Sequence, residues 1–371
     1  MKITGIVTEY NPFHNGHAYH IEQARKLTKP DVLIAVMSGH FVQRGEPSIT
    51  DKWQRTEAAL SHGVDLVIEL PIAYATQSAE TFAAKAVEIL ALAKCDTIVF
   101  GSESNDLETM KEIAELSIHI DSLKESMKTG MSYPKALSLF SGEYDPNDIL
   151  GIAYCRAAKT YGITPLSIQR TNSYHSEDIN ETIASATAIR KALKQHQSIK
   201  DQTPMVELEQ QQTLPDWSHY YPMLQHKLLT TPKKDLQSIF LVCEGIENHM
   251  IKQANLTDDV HQFIDQCVNR RYSKARIQRT MVQLLLHNTK QDIQQLPKLD
   301  TLRILGFNQK GLEVLQMYKK LDIQVASRFN QIPLPYRRME HKATQVYASI
   351  YPSSQKNQII QRERQGPVII K

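Results

Sequence analysis

Cysteine is scarce in this chain: there are four in 371 residues, at positions 95, 155, 243 and 267, and none forms a C-x-x-C pair. That spacing argues against a zinc finger or a disulfide framework and fits a reduced, cytoplasmic setting. Long apolar runs are lacking too. No stretch approaches the roughly 18 uncharged residues of a membrane span, and Met1-Lys2-Ile3 leads into a strand pattern without an apolar signal region. The expectation is an unprocessed, soluble, cytoplasmic protein. An excess of one charge is missing as well. The chain has 43 Lys and Arg against 40 Asp and Glu, so a net +3 does not by itself indicate a nucleic-acid partner, and only local clustering can.

What is present is an ordinary globular composition, 41% hydrophobic and 22% charged, at a length sufficient for two domains. An apolar β-branched run at the start gives way to a turn and a helical pattern. Val32 to Met37 is a continuous apolar run of the kind covered on both faces of a parallel sheet. Helices near Lys52 to Ser61, Ser78 to Leu92 and Leu107 to His119 then alternate with strands at Leu66 to Glu69 and Thr97 to Phe100, and Pro165 to Ile168 reads as a last strand. This alternation predicts an α/β fold with a doubly wound parallel sheet over residues 1–200. Residues 201–225, rich in Gln and Pro, read as a linker, and 226–371 as a mostly α-helical second domain.

The whole is organised around Lys2 to His20. After the first strand comes Tyr10-Asn11-Pro12-Phe13, then His14-Asn15-Gly16-His17 at a helix start. Gly16 admits close approach to the backbone, and the opening helix offers unpaired N–H groups and a positive dipole end, so an anion belongs there. His14 and His17, three apart, can face that anion together and donate to a triphosphate as charge builds on leaving pyrophosphate. Two surface histidines in a loop would be the plain alternative. Placement between a strand and a helix is the context that makes the short motif count.

Other candidates emerge where strands end. Ser38 to Pro47 follows the second strand, and its glycines, Gly39 and Gly45, together with Arg44 suit a closely packed substrate loop at the carboxyl edge of the sheet. Asp51 is a plausible N-cap, and Lys52 beside it has the length to reach a phosphate or carboxylate. Gly101 after the fourth strand would let a purine or ribose rest on the backbone. Asn147, Arg170 and Arg190 supply a polar edge partner and positive charge for the far side of a triphosphate.

The H-x-G-H segment resembles the HxGH nucleotidyltransferase superfamily. Taken with MSGHFVQRGEP, DKWQR, IELPIAYATQSAE, FGSE, NDILGIAY and SATAIR, in that order over about the first 200 residues, TEYNPFHNGHAYH resembles the tRNA(Met) cytidine acetate ligase family. The resemblance implies activation of acetate with ATP as acetyl-adenylate and acetylation of N4 of the wobble cytidine in elongator tRNA(Met). It places ATP on Thr8, Glu9, Tyr10, Asn11, Pro12, Phe13, His14, Asn15, Gly16, His17 and His20, and on Gly101, Asn147, Arg170 and Arg190, with His14 and His17 catalytic. Mg²⁺ is expected to be held through the ATP phosphates, with no metal-ligand cluster of its own. Two positions depart from the family pattern, His40 where Asn is usual and Lys85 where Gly is usual.

Between Gln266 and Gln291 stand Arg270, Arg271, Lys274, Arg276, Arg279 and Lys290 without one Asp or Glu, which predicts an RNA backbone contact there. Tyr336-Arg337-Arg338 is a weak candidate for reading the anticodon base. Two competing readings are a small-molecule nucleotidyltransferase that builds a nucleotide cofactor and an RNA-binding protein with a vestigial nucleotide site. The long basic appendage argues against the first, and the intact His14 and His17 against the second. A class-I aminoacyl-tRNA synthetase would need a KMSKS partner, and Tyr272-Ser273-Lys274 is too poor a match.

Overall fold

The computed structural model describes residues 1–115, 144–170 and 182–371. The last four residues, 116–119, of the helix expected near Leu107 to His119 lie outside the described residues. Five strands, β1 (Ile3–Thr8), β2 (Val32–Ser38), β3 (Leu66–Leu70), β4 (Thr97–Ser102) and β5 (Thr164–Gln169), run parallel in the order β5-β4-β1-β2-β3. Every residue of β2 is buried, as its unbroken apolar run requires for a strand covered on both faces. Between the strands come helices α1 (Asn15–Thr28), α2 (Lys52–Ser61), α3 (Ile72–Ala75), α4 (Ala79–Leu92), α5 (Leu107–Glu115) and α6 (Pro146–Tyr161). The doubly wound sheet is as the alternation predicts.

The chain passes from β1 outward to β2 and β3, then returns to the other side of β1 to lay down β4 and β5. Connections therefore leave the carboxyl ends of β1 and β4 in opposite directions. The crevice this opens is where ligands of open α/β sheets sit.

After β5, helix α7 (Ala186–Lys194) packs Ile189 and Leu193 into the core layer that holds Tyr10 and Phe13. Residues expected to be a linker join that layer: Met205 and Leu208, around a 3-10 turn at Val206–Gln210, are buried in it, and the Thr203 hydroxyl donates to the Phe13 carbonyl at 2.5 Å. A helical subdomain follows, with α8 (Trp217–Thr230), α9 (Lys233–Ser238), α10 (Ile246–Ala254), α11 (Val260–Cys267), α12 (Lys274–Leu286) and α13 (Lys290–Gln294). Its core gathers Trp217, Phe263 and Met281 around Phe41 and Ile72 of the first part, so the two parts share packed surface.

The chain then departs from the expected division at residues 200 and 225. Strand β6 (Thr301–Phe307) returns to the sheet and pairs antiparallel with β3, and β7 (Gln324–Ala326) and β8 (Val368–Ile369) pair parallel with β6. Helix α14 (Gln309–Lys320) covers that edge, with the Tyr318 hydroxyl donating to the Ala93 carbonyl at 2.7 Å. Helices α15 (Leu334–Ala348) and α16 (Ser353–Arg362) then bridge sheet and helical subdomain.

Candidate active site

A cavity of about 310 Å³ opens at the carboxyl ends of β1 and β4 and is lined by Thr8, Glu9, Tyr10, Asn11, His14, Gly16, His17 and His20, among others. The same wall includes Arg44, Gly101, Asn147, Arg170 and Arg190. Residues from strands β1 and β4, from helices α1, α6 and α7 and from the loops between elements thus converge from positions as far apart as 8 and 190.

The start of α1 fixes the two histidines by its own capping. His14 is the N-cap, its Nδ1 accepting from the Gly16 N–H at 3.1 Å, and the His17 Nδ1 accepts from the His14 N–H at 3.2 Å. Two otherwise orphaned helix-end donors are satisfied in this way. Gly16 is needed for the first of these contacts, since a Cβ there would meet the His14 Cε1 at 2.9 Å. Because each Nδ1 accepts, the neutral rings carry their protons on Nε2, and those N–H groups are the donors left for the cavity. Desolvation, followed by the charges of Arg170 and Arg190, pushes the His14 pKa down to about 3. Burial likewise holds His17 well below its usual value, ahead of repulsion from His14 and His20, and lowers His20 to about 4. The site therefore presents neutral hydrogen-bond donors within a positive field.

That field is positioned by backbone and carboxylate anchors. Arg190 Nη1 donates to the Asn11 carbonyl at 2.8 Å, and its Nη2 to Glu46 Oε2 at 3.1 Å. Arg170 lies 3.8 Å from Glu103 Oε1, the same oxygen that accepts from the Asn147 side-chain amide. Asp148 ties α6 to the β4 exit by accepting from the Ser102 hydroxyl at 2.6 Å and the Glu103 N–H at 3.0 Å. Glu9, on the cavity wall, accepts from the Gln43 N–H at 2.6 Å, and burial raises its pKa.

Several sequence-predicted site residues are placed elsewhere. Pro12 and Phe13 are buried behind the cavity wall, with Phe13 in the core against Tyr10. Asn15 turns away and donates its side-chain amide to the carbonyls of Thr182 and Asp201, both at 2.9 Å. Ser38 and Gly39 are buried at the β2 exit, where the Arg55 guanidinium donates to the carbonyls of Glu9, Ser38 and Gly39. Lys52 does not line this cavity. It is fully buried and donates to Glu69 Oε1 at 2.6 Å and Glu363 Oε1 at 2.9 Å. The side chain is turned by two carboxylates, one of which lies 311 residues away in sequence.

The departures from the family pattern are locally accommodated. His40 is buried, stacks on Tyr347 with ring centroids 4.5 Å apart, and contacts the Thr344 hydroxyl through Nδ1 at 3.3 Å. Lys85 pairs with Glu88 at 2.7 Å and lies over the Tyr74 ring. The basic helix divides into two groups: Arg270, Arg271 and Lys274 are exposed, while Arg276 and Arg279 are half-buried. Lys274 faces Asp265 at 3.7 Å, an acid just outside the stretch that reads as purely basic, and Arg276 Nη2 donates to the Leu241 carbonyl at 3.3 Å. Gln43, Glu46 and Tyr154, which also line the cavity, were not singled out from the sequence, although the motifs MSGHFVQRGEP and NDILGIAY contain them.

A family model described as HIGH Nucleotidyl Transferase matches residues 1–363. A tRNA(Met) cytidine acetate ligase of Oceanobacillus iheyensis is 38% identical, with both chains covered in full, and that of Lysinibacillus sphaericus is 39% identical over 88% of this chain and 89% of the relative. The chain belongs to the tRNA(Met) cytidine acetate ligase family of HIGH nucleotidyl transferases. Among solved structures, Thermotoga maritima TmcAL bound with alpha-thio ATP is 30% identical and matches at a TM-score of 0.88, covering 100% of this chain and 99% of that one. The apo form of the same protein matches at 0.90 with 30% identity and full coverage of both chains.

Proposed function

We propose that this protein is an ATP-dependent tRNA(Met) cytidine acetate ligase. It activates acetate as acetyl-adenylate, releases pyrophosphate, and acetylates N4 of the wobble cytidine C34 of elongator tRNA(Met). The reading is carried by one conjunction: an H-x-G-H helix start on the wall of the crevice at the carboxyl ends of β1 and β4, in a chain that matches ligases of this name along its full length.

The chemistry follows from the wall. The triphosphate lies over the opening turn of α1, where the helix dipole favours an anion. The Nε2–H groups of His14 and His17 donate to its oxygens, and Arg170 and Arg190 supply charge. These interactions strengthen as the acetate oxygen attacks the α-phosphorus and negative charge collects on departing pyrophosphate, so they favour the transition state over the ground state. Gly101 and Asn147 border the space left for the nucleoside. Among the described residues no group of three or more His, Cys, Asp or Glu side chains is placed to hold a metal, and Mg²⁺ would come to the site on the ATP phosphates. Arg270, Arg271 and Lys274, exposed at the start of α12, are proposed to meet RNA phosphates.

The test is mass spectrometry of tRNA nucleosides after incubation of the protein with ATP, acetate and bulk tRNA. N4-acetylcytidine confined to the elongator tRNA(Met) anticodon, with stoichiometric pyrophosphate, is the expected result. Release of ADP and phosphate would instead indicate kinase-like chemistry. Formation of a dinucleotide without RNA would indicate a cofactor-making transferase.

A further inference from the structure

The helical subdomain touches the substrate loop at one close point. Gly45, at φ +79°, lies against the backbone of α12, where a Cβ would stand 2.3 Å from the Arg279 nitrogen and 2.4 Å from the Gln278 carbonyl carbon. The Gly45 carbonyl accepts from the Trp217 indole N–H at 2.9 Å, which pins the loop to α8 as well. Arg44, next in the chain, lines the nucleotide cavity. Arg279 therefore sits immediately behind a cavity-wall residue.

Its surroundings are unusual for a guanidinium. Arg279 is half-buried, and its Nε is buried with no hydrogen-bond partner. Among the described residues no carboxylate pairs with it, and its close charged neighbours, Arg276 and Arg44, carry the same sign. Burial and those two neighbours push the Arg279 pKa down to about 10. Arg276 is held by neutral acceptors only, the Leu241 carbonyl and the Cys243 Sγ at 3.4 Å, so nothing described on α12 offsets the pair. Arg44 also acts on the Glu9 carboxylate at the cavity wall, so the charges left without a described carboxylate are those of Arg279 and Arg276, and holding two like charges together where water is partly excluded is unfavourable unless an anion completes the arrangement.

We infer that Arg279, with Arg276 and Arg44 beside it, forms a phosphodiester-binding site at the rim of the nucleotide cavity, seating the RNA backbone next to the nucleotide that enters. This inference rests on the proposed RNA substrate. An RNA phosphate fits better than the ATP triphosphate for a topological reason. The triphosphate end of the cavity is the α1 start, with Arg170 and Arg190, whereas Arg279 belongs to the helical subdomain and does not line the cavity. The target cytidine must reach an acetyl group held inside that cavity, so its own backbone has to pass the rim. A guanidinium fork there fixes the register without reading sequence. The exposed Arg270, Arg271 and Lys274 would then hold more distant phosphates.

The experiment uses the full-length protein with Arg279→Gln, Arg279→Lys and Arg276→Gln. For each, acetate-dependent exchange of pyrophosphate into ATP without RNA is measured beside acetyl transfer to tRNA(Met) and tRNA affinity over a salt series. In Arg279→Gln the KM for tRNA is expected to rise at least tenfold more than the KM for ATP. The slope of log affinity on log salt should flatten by about one, as for one lost phosphate contact. Arg279→Lys, which keeps the charge and loses the fork, should fall between wild type and Gln, and Arg276→Gln should repeat the pattern more weakly. A rise in the ATP KM that matches or exceeds the tRNA effect would assign the site to the triphosphate and overturn the inference. So would a tRNA KM and salt slope indistinguishable from wild type in a variant with a native circular dichroism spectrum. If Arg279→Gln does not fold, the same comparison is read from Arg279→Lys and Arg276→Gln. Wild-type protein that exchanges pyrophosphate yet acetylates no tRNA would refute the functional proposal itself, a separate result from either of these.

Discussion

The rings of His14 and His17 stack with centroids 3.7 Å apart and planes inclined by 29°. Two imidazoles so close cannot both be protonated without strong repulsion, and each has given its Nδ1 to a backbone N–H of the same helix turn. Capping thus fixes the two side chains on which the proposed adenylation depends: the helix end holds the rings, and the held rings turn two Nε2–H groups toward the cavity.

Replacing His17 with Ala should remove a transition-state donor and cost roughly 10²–10³ in the rate of acetate-dependent pyrophosphate exchange. The capping bond to the His14 N–H is lost as well, at a cost of about 1 kcal/mol in stability. His17→Asn, which offers a side-chain acceptor near that N–H, should recover stability without recovering rate. Near-normal exchange in a folded His17→Ala protein would remove His17 from the mechanism.

The histidine pKa values give a direction for acid stability. His14 at about 3, His20 at about 4, and His17 and His40 depressed by burial remain neutral in the folded protein after the unfolded chain has begun to take up protons near pH 6.5. The unfolded state then binds more protons, so ligand-free stability is lost as pH falls from about 6.5 toward 4, by up to about 1.4 kcal/mol per pH unit for each histidine. Thermal melts of the ATP-free protein between pH 7.5 and 5 are expected to show a steady fall in Tm. ATP, which favours protonated rings, should reduce that fall. A Tm independent of pH over this interval would contradict the burial of these rings.

Lys52 separates a structural from a ligand-binding role. Its ammonium lies between Glu69 and Glu363, and Arg303 approaches the same two carboxylates at 4.0 and 3.9 Å. Lys52→Met removes the hydrogen-bonded cation from two buried carboxylates and leaves them only the more distant Arg303, and breaking such a buried pair from one side costs about 3–5 kcal/mol. The loss should appear in ATP-free denaturant unfolding, with C_m lowered. Were Lys52 instead a phosphate ligand, ATP-free stability would hardly change and only the ATP-induced rise in Tm would shrink.

The Lys52 network also marks where the sequence stopped being legible. The five parallel strands, the H-x-G-H helix start and the strand-end loops could be read because their signals are local: apolar runs, glycines and histidine spacing within a few residues. Lys52 was misplaced because its partner Glu363 is brought in by α16, which no local pattern foretells. For the same reason β6 escaped the expected domain division. It reaches the sheet through antiparallel pairing of Leu66 with Phe307, a long-range choice set by the exposed edge of β3 rather than by its own composition. Asn15 shows the converse limit. It lies inside the motif, yet its amide is consumed by carbonyls at 182 and 201 that pack against the turn from later in the chain.

Two glycines with left-handed backbone allow the loop–helix contact to be weighed against backbone strain alone. Gly162, at φ +67°, has nothing within 4 Å of where a Cβ would be, so Gly162→Ala should cost only the conformational penalty of about 1–2 kcal/mol. Gly45, at φ +79°, carries the same penalty and in addition would drive a methyl group into the Arg279 backbone at 2.3 Å, where no flexible side chain is available to yield. Overpacking of this kind adds about 1–3 kcal/mol or displaces the loop. Displacement would carry Gln43 away from Glu9 and Glu46 away from Arg190, both on the cavity wall. Gly45→Ala is therefore expected to lose more stability than Gly162→Ala in urea unfolding, and to lose pyrophosphate exchange and acetyl transfer together, where Gly162→Ala keeps both. Equal effects of the two substitutions on C_m and on rate would mean that the loop does not depend on its seat against α12.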